Sequence, residues 1–367
     1  MGFDTEVAPI EGPAPRFFHR LFFWFFLATI AMVLPEVVTL NDPIPWASAM
    51  GWQLGYPIYG LHILALAGLM YRRPIGGFAV LLAYGGLFGL YEGYMIKQLW
   101  NPNWGTELAW GTIGGVQPLH TVILVFWLHP LMAYILPLLL TERLMVRPGK
   151  LSHRFPSIFQ SKRGTRFLLF GTAVYCALSI GSKLSSPSEM VIPLTSIAVL
   201  SALGLIWRLP LRGGRFRLEE LLPQERSLAV IWVLLFLSYL FYGSTLRREA
   251  MPTELVPHIV IWLIYLFLIS IIIAVTRRTS PLPSERPPLE GWSNAKAVMM
   301  AGVTFIVLLL VILIHLPSTQ PGAVLILVSF VLGGIFNILF LLYTLLKSLV
   351  SSNPVSEEKK NESLSES

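Results

Sequence analysis

The chain has 367 residues, of which 54% are hydrophobic and 13% charged, with a formal net charge of +7 and a mean hydropathy of +0.67. Soluble domains carry about 25% charged residues, so this composition excludes a string of soluble domains and defines one polytopic membrane body with short loops. The basic excess does not make a nucleic-acid surface, because it gathers at the ends of apolar runs rather than on one soluble face.

The polar, Pro-containing segment 1–17 reads as a cytoplasmic tail. The apolar run after it is too long for a cleaved leader and reads as a retained first span. Gly2 follows Met1, but Glu6 stands where a myristoylation signal needs Ser or Thr. A span needs about 20 mostly apolar residues. On that basis the chain predicts an all-α integral membrane protein, a bundle of about ten transmembrane helices. They cover 18–40, 53–71, 74–97, 116–141, 165–182, 189–207, 227–244, 255–276, 297–316 and 323–347. Pro, Gly and charged clusters separate them, as at Asn41-Asp42-Pro43 and Arg72-Arg73-Pro74. The breaks at 72–73 and 183–188 are short enough for tight helical hairpins.

Four helices (18–141) carry nearly all the intramembrane ionisable residues. A basic loop (142–164) follows, then six more apolar helices (165–347) and a Ser/Glu/Lys-rich tail (348–367) expected to be disordered. With the N-terminus in the cytoplasm, 23 of the 27 Lys and Arg residues fall on the cytoplasmic side. That bias predicts a cell-membrane protein with both termini inside. Arg247-Arg248 is the exception. The loop from Arg143 to Arg166, with Phe155 and Phe159, suits anionic lipid head groups. Trp46, Trp52, Trp100, Trp104 and Trp110 surround the first two outer loops, as an interfacial aromatic belt would. The single cysteine, Cys176, rules out a disulfide within the chain and a thiolate metal cluster.

Ionisable residues inside spans are costly and are functional suspects by default. Counting depth along alternating helices puts Glu36, His62, Glu92 and His120 in the outer half of the membrane, on four consecutive spans. Consecutive spans joined by short loops are usually neighbours, so the four residues are expected to converge. Two imidazoles and two carboxylates suit a divalent metal such as zinc, with His62, His120 and Glu92 as ligands. Without metal the same residues suit a proton relay. Glu92 and Glu36 are the expected catalytic carboxylates. Gly85, Gly89 and Gly93 share one helix face below Glu92 and let a neighbouring backbone approach closely. A salt bridge from Glu92 to Lys97 is the structural alternative. His129 stands before Pro130, about half a turn round an α-helix from His120, and is expected to be structural.

No Walker phosphate loop, Gly-x-Ser-x-Gly elbow, voltage-sensor helix or potassium-filter motif is present. The leading expectation is a membrane-embedded enzyme, metal-dependent if the cluster binds zinc, with its site near the outer face. A proton- or cation-coupled secondary transporter is the alternative, and an assembly subunit without chemistry a third.

Overall fold

The computed structural model describes residues 14–102, 111–154, 161–184, 186–280, 292–315 and 319–350. The expected tail from 351 onward, Phe155, Phe159, Trp104 and Trp110 lie outside the described residues, as does the side chain of His315.

Within a bilayer every backbone polar group must be satisfied internally, and the helix does this within one segment. The apolar runs accordingly form ten long helical segments. We number these α1 (Phe17–Val38), α2 (Gly51–Gly60 continuing as Leu61–Met70), α3 (Phe78–Gly89, then Tyr91–Tyr94) and α4 (Pro118–Met145). Then follow α5 (Lys162–Gly181), α6 (Val191–Arg208), α7 (Glu225–Thr245), α8 (Leu255–Thr276), α9 (Asn294–His315) and α10 (Thr319–Val350). Seven helices among the described residues are long and apolar enough to cross a membrane unaided. The α3 segment falls short because it breaks at Leu90.

Helices α1 to α4 form the centre. Phe23, Leu27, Ile63, Ala67, Leu81, Phe88, Val125 and Leu138 are all fully buried there. Helix α7 packs on α2, α8 on α3 and α10 on α4. These outer helices present Val233, Phe236, Leu263, Leu332 and Phe336 outward, the pattern of a lipid-facing shell. Close approach of α3 and α4 depends on two of the three expected glycines. A Cβ on Gly85 would lie 2.4 Å from Pro130 Cα, and one on Gly89 would lie 2.8 Å from the Leu124 carbonyl oxygen. Gly93 has only ordinary contacts at 3.7 Å and beyond, so it is not part of that seam.

Two central helices are not plain α-helices. The stretch Gly51–Gly60 of α2 and the stretch Thr121–Ile135 of α4 are π-helical, with wider i→i+5 turns. Each contains a proline, Pro57 and Pro130. A proline has no N–H to give to the turn before it, and in a membrane backbone carbonyls must be satisfied internally. A carbonyl in the turn before each proline accepts from an outer helix. Asn337 Nδ2 of α10 donates to Phe126 O at 2.7 Å, and the Tyr242 hydroxyl of α7 donates to Gln53 O. Asn337 is buried in an otherwise apolar helix. Replacing it with leucine removes this buried hydrogen bond, a loss of about 0.5–1.5 kcal/mol. A denaturation series in detergent should show that loss; unchanged stability would mean the carbonyl is satisfied by other means.

The basic end of the bundle is fastened by Glu142. It accepts from the Tyr71 hydroxyl at 2.6 Å, from Ser152 N at 2.7 Å and from Gly149 N at 2.9 Å, tying α2 to the segment after α4. Beside it, in the short helix Leu218–Leu221, Glu219 is pushed above the ordinary carboxylate range by burial and, less strongly, by the Glu142 charge. A carboxyl raised in the folded state stabilises below its unfolded value. That stability is lost as pH rises through the folded value. Glu219→Gln should therefore raise the melting temperature near neutral pH and leave it unchanged below the carboxylate range. A lower melting temperature at neutral pH would show that the Glu219 charge is favourable.

Candidate functional site

At the opposite end of the bundle, four helices bring polar side chains together. From α1 comes Glu36, one residue after Pro35 and two residues before the helix end. From α2 comes Tyr59, whose hydroxyl donates to Glu36 Oε1 at 2.6 Å. From the broken end of α3 come Tyr91 and Glu92, and from α4 comes His129. The Tyr91 hydroxyl lies 2.9 Å from His129 Nε2 and 3.1 Å from the Tyr59 hydroxyl. Glu92 Oε1 lies 3.5 Å from His129 Nε2. A chain of polar atoms thus runs Glu36–Tyr59–Tyr91–His129–Glu92. Tyr59, Tyr91, Glu92 and His129 are all buried.

The proton roles follow from the ends. His129 Nδ1 sits 2.9 Å from Leu124 O, five residues earlier on the π ladder. A carbonyl only accepts, so Nδ1 carries a proton. Neutral His129 then presents Nε2 as an acceptor to Tyr91. Tyr91 has one proton and two acceptors in reach, His129 Nε2 and the Tyr59 oxygen. Protonation of His129 turns Nε2 into a donor, facing Glu92 and Tyr91, and releases the Tyr91 proton toward Tyr59. Protonation at one end is therefore felt at the other. Glu92 Oε2 is buried and has no hydrogen-bond partner among the described residues.

A cavity of ≈ 560 Å³ opens over this chain. Glu36, Tyr59, Tyr91, Glu92 and His120 line it, with Asp42, Gln98 and Lys183 toward its rim. Thr39 and Asn41 also line it, and much of the rest of its wall is apolar, including Met32, Leu54, Ile58, Ile123, Leu128 and Phe330. Beneath the chain the helices close. Between His62 and Tyr71 lie about 13 Å of helix, where Ile63, Leu66, Ala67 and Met70 pack against buried Leu81, Tyr134 and Leu138.

The structure thus brings Glu36, Glu92 and His120 to one cavity. His62 is elsewhere. Its Nδ1 bonds Ile58 O at 2.7 Å, its Nε2 meets the Tyr239 hydroxyl at 3.1 Å, and its ring stacks on Phe88. Both nitrogens are occupied, so no lone pair is free for a metal. Among the described residues no three His, Cys, Asp or Glu side chains lie close enough to hold a metal ion. The expected zinc set of His62, His120 and Glu92 is therefore not assembled.

Lys97 does not line the cavity either. It does not pair with Glu92. Its buried ammonium donates to Tyr242 O at 3.2 Å, to Met95 O at 3.4 Å and to Leu246 O. It caps the C-terminal end of α7, where helix carbonyls lack partners and the macrodipole favours a cation. His129, expected to be structural, stands at the centre of the cluster. Nine residues make two and a half turns of α-helix, on opposite faces. On the wider π ladder, with about 4.4 residues per turn, nine residues make roughly two turns, so His120 and His129 share a side.

Sequence reasoning missed Tyr59, Tyr91, Tyr239 and Asn337. Tyr59 stands three residues before His62 and Tyr91 adjoins Glu92, so their proximity to ionisable residues was visible. Asn337 was visible as a lone amide in an apolar run.

These features define an all-helical, multi-pass membrane protein whose first four helices surround a buried acid–imidazole–tyrosine cluster. The chain belongs to a family described as "Uncharacterized membrane protein family", whose model matches residues 25–352 and so spans the helical body and the whole cavity. It is also similar to a protein of Archaeoglobus fulgidus described as "Uncharacterized protein". The two are 30% identical over 259 residues, which is 70% of this chain and 78% of that protein. No solved structure matches.

Proposed function

We propose that this protein is a membrane-embedded acid–base enzyme. Its cavity receives a small molecule at the extracytoplasmic end of the bundle and does not rely on a metal held by His62, His120 and Glu92. The observation that carries the reading is the continuous polar chain with a carboxylate at each end, both ends lining one cavity. Proton transfer from a positioned side chain accelerates reactions typically by 10²–10⁴-fold. In this arrangement one carboxylate takes a proton from the guest while the other, linked through two tyrosines and an imidazole, returns one. Glu92 is the assigned base, Glu36 its counterpart, and His129 with Tyr91 and Tyr59 the connection. The closed apolar layer beneath supports chemistry at one face over passage through the bundle.

The distribution of Lys and Arg supports an orientation with both termini cytoplasmic in the cell membrane. In that orientation the basic segment around Arg143 to Arg166 meets anionic lipid head groups.

A second reading, proton- or cation-coupled transport, is favoured by one observation. The two helices beside the buried carboxylates are interrupted by Pro57 and Pro130, as broken helices are at transporter sites.

One comparison tests both. Cells producing wild type, Glu92→Gln or neither protein are profiled for small molecules and lipids, and the purified proteins are assayed in proteoliposomes for collapse of a pH gradient. The enzyme reading expects at least one pool that changes chemically with wild type only. Gradient collapse with added extract and no chemical conversion favours transport. Identical profiles for equally folded wild type and Glu92→Gln overturn the enzyme reading.

A further inference from the structure

We propose that the cavity over Glu92 binds an amphipathic ammonium compound, a protonated amine carrying a hydrocarbon body. This inference rests on the acid–base reading of the same cavity and names the class of guest.

The first observation is an imbalance of charge. Two carboxylates, Glu36 and Glu92, stand at the floor, and Asp42 stands nearer the rim. The nearest lysine in sequence to Glu92, Lys97, is committed to backbone carbonyls of α7. Lys183, at the rim, gives its ammonium to Thr39 O. Among the described residues His129 is the one basic group against Glu92, and its Nδ1 proton is held by Leu124 O. Among those residues the floor therefore offers acceptors without a matching fixed cation.

The second observation is an unused acceptor. Glu36 Oε1 takes the Tyr59 proton at 2.6 Å, whereas Glu92 Oε2 takes none. Glu92 is 6% exposed and lines the cavity. A buried polar atom without a partner costs stability, and an N–H donor from a guest removes that cost. An ammonium supplies both the donor and the missing charge.

The third observation is the wall. Met32, Leu54, Ile58, Ile123, Leu128 and Phe330 enclose the space above the carboxylates. Hydrated inorganic cations gain nothing from such a lining, whereas a hydrocarbon body gains about 25 cal/mol for each Å² it buries. Pockets built of apolar walls with a few placed polar groups orient organic guests in this way.

The test uses the full chain in nanodiscs of neutral lipid, with hexylamine as the probe and 1-hexanol and hexanoate as matched controls. Binding is read by the shift in thermal midpoint and by quenching of aromatic fluorescence. The inference expects hexylamine to stabilise the protein in a saturable way at pH 7, and the two controls to stabilise it at least tenfold less effectively at equal concentration. Glu92→Gln should weaken hexylamine at least tenfold. Ile123→Trp, which fills the wall without touching the carboxylates, should weaken it as well. Equal stabilisation by 1-hexanol, or full hexylamine binding by folded Glu92→Gln, overturns the inference. No binding of hexylamine by wild type overturns it too. Binding is scored without turnover, so the two claims fail separately. Conversion without hexylamine binding ends only the amine assignment, and hexylamine binding without any conversion in cells ends only the enzyme reading.

Discussion

Glu92→Gln should reduce turnover of the reaction found in the cell comparison by about 10²–10⁴-fold while leaving the protein folded. The amide keeps the shape beside His129 Nε2, which lies 3.5 Å from Glu92 Oε1, but it cannot carry a proton to or from a guest. Tyr91→Phe breaks the chain next to His129 and Tyr59→Phe breaks it next to Glu36, so each should also slow turnover. His62→Gln should behave differently. Its ring does not line the cavity but bonds Ile58 O and Tyr239 and packs on Tyr91 at 5.4 Å between centroids, so its replacement should lower stability and slow turnover far less than Glu92→Gln does. Initial rates normalised to folded protein, measured by size-exclusion recovery, separate these outcomes. Full activity in Glu92→Gln would remove Glu92 from the chemistry.

Gly85→Ala should destabilise the bundle even though alanine is the better helix former by about 0.8–1.0 kcal/mol. The new Cβ would meet Pro130 Cα at 2.4 Å and Pro130 Cβ at 2.9 Å. These atoms belong to a proline within a buried π-helix and have no rotamer to escape into. Overpacking of this kind typically costs about 1–3 kcal/mol. Relief requires α3 and α4 to separate, which moves His129 relative to Tyr91 and Glu92. Activity should therefore fall along with stability. Two controls make the comparison sharp. Gly93→Ala, with contacts no closer than 3.7 Å, and Gly171→Ala, with nothing within 4 Å, should be neutral or stabilising. If all three substitutions behave alike, the α3–α4 seam does not set the site.

The helices were legible from the sequence because the bilayer demands long apolar runs and charged or Pro/Gly clusters end them. The expected span 255–276 matches Leu255–Thr276, and 227–244 lies within Glu225–Thr245. The shared depth of Glu36, Glu92 and His120 was legible for the same reason, since depth follows from residue count along a helix. Rotation was not. It depends on turns per residue, and the π-helical stretch Thr121–Ile135 altered that for His129. The partners of Lys97 were hidden for a similar reason. Its five-residue spacing from Glu92 is imperfect for a helical pair, and the side chain reaches carbonyls of Tyr242 and Leu246, 145 and 149 residues away. The tyrosines escaped notice because, in a membrane protein, aromatic residues are common as apolar filling. Only a neighbour at hydrogen-bond distance turns Tyr59 and Tyr91 into proton carriers.

Acid–base work at this cavity requires Glu36, Tyr59, Tyr91, His129 and Glu92 to act as one proton-sharing unit. A double-mutant cycle between Glu36→Gln and Tyr91→Phe, read as unfolding free energy in one detergent, tests this directly. Residues joined in one network show interaction energies of about 0.5–3 kcal/mol, whereas independent ones add to within about 0.3–0.5 kcal/mol. We expect a coupling of at least about 1 kcal/mol. Additive losses would mean that each carboxylate has its own local partner and that no shared chain exists.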